Sequence, residues 1–350
     1  MQFMDCSLWV DIYQNSVHFG VRINILNNMS KFLPEVSKKI RSEVISALLQ
    51  KKYSEIMPVW MPLQLQWMNE AYRTFYDYEK FMIVMHLLAK TFEFYGSNFV
   101  KLNYEEYFNQ KQVEIEKINV MEIANSLNIP KETARRKVVE LEELGTIKRL
   151  KKKIIIDRET WPNIKPKDTV IRVSRFLSTL SKILYEEELM EETLNSEQII
   201  KAVKENFSHV WKHYYDMQLP MLLNFKKLHG DIETHHIHAI CIVNQALNSK
   251  TNDNSQMSKE YYLEKYFFST DTVGINAMSI SDITGIPRAT VIRKLKKLVK
   301  NKFLKIDDKK HYLTTGQHQS LLLDIQKKNF KNLSKFASVI FNLSSQKNSK

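Results

Sequence analysis

Cysteine, glycine and proline are all scarce in this chain. Two cysteines, Cys6 and Cys241, cannot build a disulfide framework and have no neighbours at zinc-ligand spacing, so a reducing, cytoplasmic setting is expected. Seven glycines and eight prolines in 350 residues are less than half of average usage. Both residue types interrupt helices, so the predicted fold class is mainly α. Long apolar runs are missing too. The longest stretch without a strong charge, residues 81–89, is far short of the roughly 20 residues that span a bilayer, which excludes a membrane partner of that kind. The N-terminus has no secretory pattern, because Asp5 and Asp11 interrupt it. Phosphate-binding glycine loops, a nucleophile elbow and recognisable carboxylate pairs are absent, so neither an enzyme nor a cofactor is expected.

What the chain has in excess is local positive charge. The net charge is +13, and it resides in two windows. Residues 131–153 hold nine Lys/Arg against four Glu, and residues 288–310 hold ten against two Asp. Elsewhere acids and bases cancel. Charge kept for solubility would be spread; two concentrations create local fields suited to a polyphosphate backbone. With 43% hydrophobic residues the chain can bury cores, and its length suggests two domains.

The windows belong to an internal repeat. At an offset of 157, residues 119–148 (NVMEIANSLNIPKETARRKVVELEELGTIK) align with residues 276–305 (NAMSISDITGIPRATVIRKLKKLVKNKFLK), ten of the 30 positions being identical. Upstream, with a shift of two residues, Glu105 to Phe108 faces Glu264 to Phe267, and residues 81–89 face 238–246 at the original offset of 157. The duplication is thus expected over 75–157 and 232–314. Each motif opens on an N-cap asparagine, Asn119 or Asn276, with Glu122 completing a capping box in the first. A short helix then ends at Asn128 or Gly285, residues that tolerate the left-handed conformation of a tight turn. Ile129 or Ile286 plugs the corner, and Pro130 or Pro287 suits the next first turn. In the second helix Ala134, Val138 and Leu141, or Val291, Leu295 and Leu298, recur at core spacing.

The opposite face carries Lys131, Thr133, Arg135, Arg136 and Lys137 in the first copy. In the second it carries Arg288, Thr290, Arg293, Lys294 and Lys297. An apolar root with an Arg/Thr/Lys tip is what major-groove entry requires, since arginine pairs with guanine and threonine meets phosphate or thymine. Beyond the helix, Lys151, Lys152 and Lys153 tip one basic hairpin, and Lys309 and Lys310 the other.

These residues resemble the winged helix-turn-helix domain of MarR-like and IclR-like bacterial transcription regulators. Residues 280–291 (ISDITGIPRATV) and 123–130 (IANSLNIP) carry the resemblance, over about 40 residues per copy. It implies two winged helix-turn-helix units with small β-wings plus additional helices. The second helix of each unit would read double-stranded DNA and the wing would touch backbone. Relatives with a single unit dimerise, so a homodimer is a further implied partner; the pattern specifies no small-molecule effector. Lys131/Arg288, Glu132/Ala289 and Arg135/Ile292 differ between the copies, which predicts an asymmetric site. Two other readings stand beside transcriptional regulation: a plasmid or phage replication initiator, and a winged-helix protein-interaction scaffold.

The expected domains are a poorly patterned stretch 1–30, a helical segment 31–160 with the first unit at 118–157, and a linker 161–167. A second helical segment, 168–320, carries the second unit at 276–314, and a basic C-terminal helix or tail follows over 321–350. His235, His236 and His238 suggest a metal, yet the repeat aligns this region with an ordinary packing stripe, so packed histidines are expected. Trp60, Trp67, Tyr72, Phe75, Tyr76 and Tyr78 lie on an amphipathic helix and are read as core.

Overall fold

The computed structural model describes residues 39–115, 119–150, 153–157, 166–248, 257–267 and 272–345. The protein is mainly helical, with two small antiparallel sheets. The element order runs twice. The first pass is α1 (Ser42–Lys51), α2 (Tyr53–Phe75), α3 (Tyr78–Ser97), α4 (Tyr104–Asn109), β1 (Gln112–Ile115), α5 (Val120–Leu127), α6 (Lys131–Glu143), β2 (Ile147–Leu150), β3 (Lys153–Asp157) and α7 (Lys167–Glu186). The second is α8 (Ser196–Glu205), α9 (Phe207–His229), α10 (Ile232–Leu247), α11 (Lys259–Phe267), α12 (Ala277–Thr284), α13 (Arg288–Lys300), β4 (Leu304–Ile306), β5 (Tyr312–Thr314) and α14 (Gln319–Ser345). No helix among the described residues is long and apolar enough to cross a membrane.

The duplication is therefore wider than the sequence identities suggest, and its register changes along the chain. Helices α1 and α8 both have ten residues, and α2 and α9 both have 23, at an offset of 154. Asp77 and Asp231 then cap α3 and α10, after Tyr76 and Gly230 in the left-handed region. The expected pairing of 81–89 with 238–246 is thus three residues out of step; the connections before α5 and α12 absorb the difference. By element order the second copy starts at α8, after α7; the expected linker 161–167 lies mostly outside the described residues. The expected C-terminal helix or tail forms most of α14, the counterpart of α7.

The two copies pack reciprocally, as subunits of a symmetric dimer do. Helix α2 lies against α10 and α3 against α9, while α1 packs on α14 and α7 on α8. Single bonds repeat the reciprocity. The Ser54 hydroxyl donates to Met257 O, and Leu102 N donates to the equivalent Ser208 hydroxyl. Arg73 Nη2 donates to Ile283 O at the end of α12, and Lys226 Nζ to Leu127 O and Asn128 O at the end of α5. One continuous apolar core runs through both copies. Trp60, Trp67, Tyr72 and Tyr78 belong to it, whereas Tyr76 is exposed. Pro58, Pro62 and Pro220 lie inside α2 and α9 without ending them, a case of tertiary packing overriding a local breaker.

Candidate nucleic-acid interface

Each helix pair is built as its sequence dictates. The Asn119 and Asn276 side chains accept from Glu122 N and Ser279 N; the return bond that would complete a box at Glu122 is not among those formed. Asn128 (φ 50°) and Gly285 (φ 75°) make the left-handed turns. Ile129 and Ile286 are buried in the corners, and Ala134, Val138, Leu141, Val291, Leu295 and Leu298 form the root of each second helix. Strands β2 and β3 pair antiparallel, as do β4 and β5. The first sheet has a third strand, β1, paired with β3, which the sequence pattern did not reveal; a lone Ile275–Tyr312 bridge stands in its place in the second copy.

Lys131, Arg135 and Arg136 are exposed on α6, and Arg288 and Arg293 on α13, with Thr133 and Thr290 half-buried beside them. Lys309 and Lys310 are exposed at the second hairpin turn, where the Asp307 carboxylate accepts from Lys309 N and His311 N. Lys151 and Lys152 lie outside the described residues, and Lys153 opens β3.

Lys137 and Lys294 require a correction. They were expected on the outward face, but their side chains are only 12% and 10% exposed. Lys137 Nζ lies 2.7 Å from Asp77 and 3.1 Å from Glu140; Lys294 Nζ lies 2.6 Å from Asp231. Lys297 also turns inward, 2.8 Å from His229 O and 3.3 Å from Asp231. The 154 offset of the caps explains the match: each second helix is pinned to the capping aspartate of α3 or α10. Burial alone would raise the Asp231 carboxyl; hydrogen bonds from Lys294 and Thr234 outweigh it and hold Asp231 at about 2. Burial opposes the charge on Lys137, but the hydrogen bonds it donates to Asp77 and Glu140 raise its pKa nonetheless.

Asp231→Ala removes a helix cap and strands the Lys294 ammonium, so urea denaturation should show a loss of about 2–4 kcal/mol. Asp77→Ala should cost less, because Glu140 still holds Lys137. Equal losses would show that the second carboxylate contributes nothing.

The exposed faces differ in free charge. On α6 the carboxylates answer the bases: Arg135 lies 3.3 Å from Glu132, Arg136 3.6 Å from Glu140, and Arg149 bonds Glu142. On α13 the exposed row is Arg288, Arg293, Lys296 and Lys300, and among the described residues none of these has an ion-pair partner. Lys296 and Lys300 escaped the sequence reading because they align with Val139 and Glu143. Their i+3 and i+7 spacing from Arg293 was the available signal. Arg136 and Arg293 both border a cleft of about 300 Å³ between the copies, with Asp77 and Asp231 on its walls.

No family model, curated protein or solved structure matches the chain.

The histidines pack inside. His229 Nδ1 donates to Phe225 O (3.2 Å), so its Nε2 is free to accept from His238 Nδ1 at 2.9 Å. His235 stacks on Phe225 at 3.7 Å, and His236 Nδ1 meets the Tyr78 hydroxyl at 2.9 Å. At the corrected offset His235, His236 and His238 replace Phe81, Met82 and Val84, which are core or core-flanking residues. Among the described residues no group of three or more His, Cys, Asp or Glu side chains gathers to hold a metal.

Proposed function

We propose that this chain is a sequence-specific double-stranded DNA-binding transcription regulator with two winged helix-turn-helix units, α6 and α13 being the reading helices and the β-hairpins the wings. One observation carries the reading: α13 presents four exposed bases on one face with no acidic partner among the described residues. A solvated structural helix has no need to leave such a row unneutralised, whereas phosphates and guanine edges supply its counterpart. The reciprocal packing supports a covalently tied dimer. Two reading helices on reciprocally packed copies suit paired half-sites on a duplex. Tethering makes the second contact intramolecular. The exposed Glu132 and Glu143 on α6 weaken the first half and favour an asymmetric operator.

Electrophoretic retardation of a duplex selected from genomic fragments, repeated as a salt titration, tests this. Affinity should fall about a thousandfold between 50 and 200 mM salt. Replacing Lys309 and Lys310 together with alanine should weaken selected and random duplexes alike and reduce the log–log salt slope by about two. A flat salt response would indicate a protein-binding scaffold instead. The selected fragments separate a promoter operator from repeated elements at a replication origin.

A further inference from the structure

A cavity of about 130 Å³ lies among α2, α9, α10, α11 and the start of α14, between the two copies. Its walls are mostly apolar, and no Lys, Arg, Asp or Glu side chain lines it. Three of its lining residues carry a buried polar atom with no hydrogen-bond partner: Gln64 Oε1, His235 Nδ1 and Asn329 Oδ1. His235 and Asn329 are only 7% and 5% exposed. Leaving such atoms unpaired is costly, and they cluster at one place.

The duplication supplies an internal comparison. At the 154 offset, the cavity residues Met57, Met61 and Ala239 correspond to Trp211, Tyr215 and Met85. Trp211 and Met85 are buried in the core and Tyr215 packs against it. At these three positions the equivalent site carries larger side chains, although the cavity's Phe225 stands where that site has Ala71. The two sites are thus filled differently.

We propose that this cavity binds a neutral, single-ring organic molecule bearing hydroxyl or similar hydrogen-bond donors. The volume is close to that of an apolar cavity that accommodates one benzene ring. The two amide oxygens accept, so the ligand donates. Without a basic side chain on the walls, a carboxylate ligand would enter unpaired and is disfavoured. A mostly apolar pocket with a few convergent polar atoms is the usual form of a small-molecule site. Helix α10 connects the site to α13: its cap Asp231 holds Lys294 and Lys297, and His235 and Ala239 follow one and two turns later. Occupancy is thereby coupled to the position of α13, a consequence that rests on the DNA-binding reading.

Resorcinol, toluene and benzoate, titrated calorimetrically into the DNA-free full chain, test the site. Resorcinol should saturate and bind at least about tenfold more tightly than toluene, with benzoate failing to compete. Ala239→Met and Met57→Trp, which import the residues at the equivalent positions of the other copy, Met85 and Trp211, should each abolish binding while leaving the melting temperature unchanged or raised. Unweakened binding in both variants, or no saturation by resorcinol up to about 10 mM, overturns the site. For the coupling, resorcinol should alter duplex affinity at least about threefold, and the duplex should alter resorcinol affinity by the same factor. Equal affinities remove the coupling. Failure to retard any duplex overturns the proposed function and the coupling with it, while the titration still decides the site.

Discussion

Arg293→Ala is expected to lower affinity for the selected duplex about 10- to 100-fold, against less than about fivefold for Arg136→Ala. The two arginines occupy equivalent positions in the repeat, and both side chains are exposed. Their surroundings separate them. Arg136 already lies 3.6 Å from Glu140, with Glu132 and Glu143 exposed on the same helix. Arg293 has Lys296 and Lys300 on its face and no ion-pair partner among the described residues. An arginine that must first leave a carboxylate gains less from a phosphate or a guanine than one already free. Fluorescence anisotropy on both variants, at one salt concentration, measures the difference. Footprints should keep the first half-site in Arg293→Ala at high protein and lose the second. Equal losses in the two variants would overturn the assignment of the second unit as the stronger reader.

Acid should unfold the protein at about pH 5, well above the carboxylate range. Burial lowers His229 to about 4 and His236 to about 3, and pushes His235 and His238 well below their ordinary value. Each folded-state value is depressed, so between about pH 4 and 6.5 the unfolded chain binds protons that the native chain refuses. Stability is intact above the unfolded value and falls with pH below it, by up to about 1.4 kcal/mol per pH unit for each histidine. Four together approach about 5 kcal/mol per unit, comparable with the whole stability of a typical domain. The geometry agrees, since protonating His229 Nε2 would destroy the acceptor that His238 uses. The Asp231 pair is lost only lower, as pH falls towards about 2. Circular dichroism against pH measures the midpoint. Replacing His235, His236 and His238 with the first copy's Phe, Met and Val should lower it by about one pH unit. An unchanged midpoint in that variant would assign the acid transition to other groups.

Residues whose meaning is local were legible in the sequence. Asn119 and Asn276 as caps, Asn128 and Gly285 as left-handed turns, and the buried root of α6 and α13 follow from backbone sterics and helical period, and the structure places them so. The scarcity of glycine and proline pointed to helices for the same reason. Identities between the copies exposed the duplication only where turn and capping chemistry restrict the residue choice. Helices α1 to α3 and α8 to α10 diverged because a core position accepts any apolar side chain of suitable volume. Only the matched lengths of folded helices reveal the 154 register.

The sequence by itself determined the helical class, the two basic helix pairs with their hairpins, and the buried apolar root of each second helix. It could not determine which bases remain free, because that depends on carboxylates brought from distant elements. Asp77 and Asp231 claim Lys137 and Lys294 through contacts that no local period encodes. The cavity beside His235 was undetermined for a related reason: a void depends on how facing surfaces from both copies fail to fill a shared volume, and only the assembled chain defines that volume.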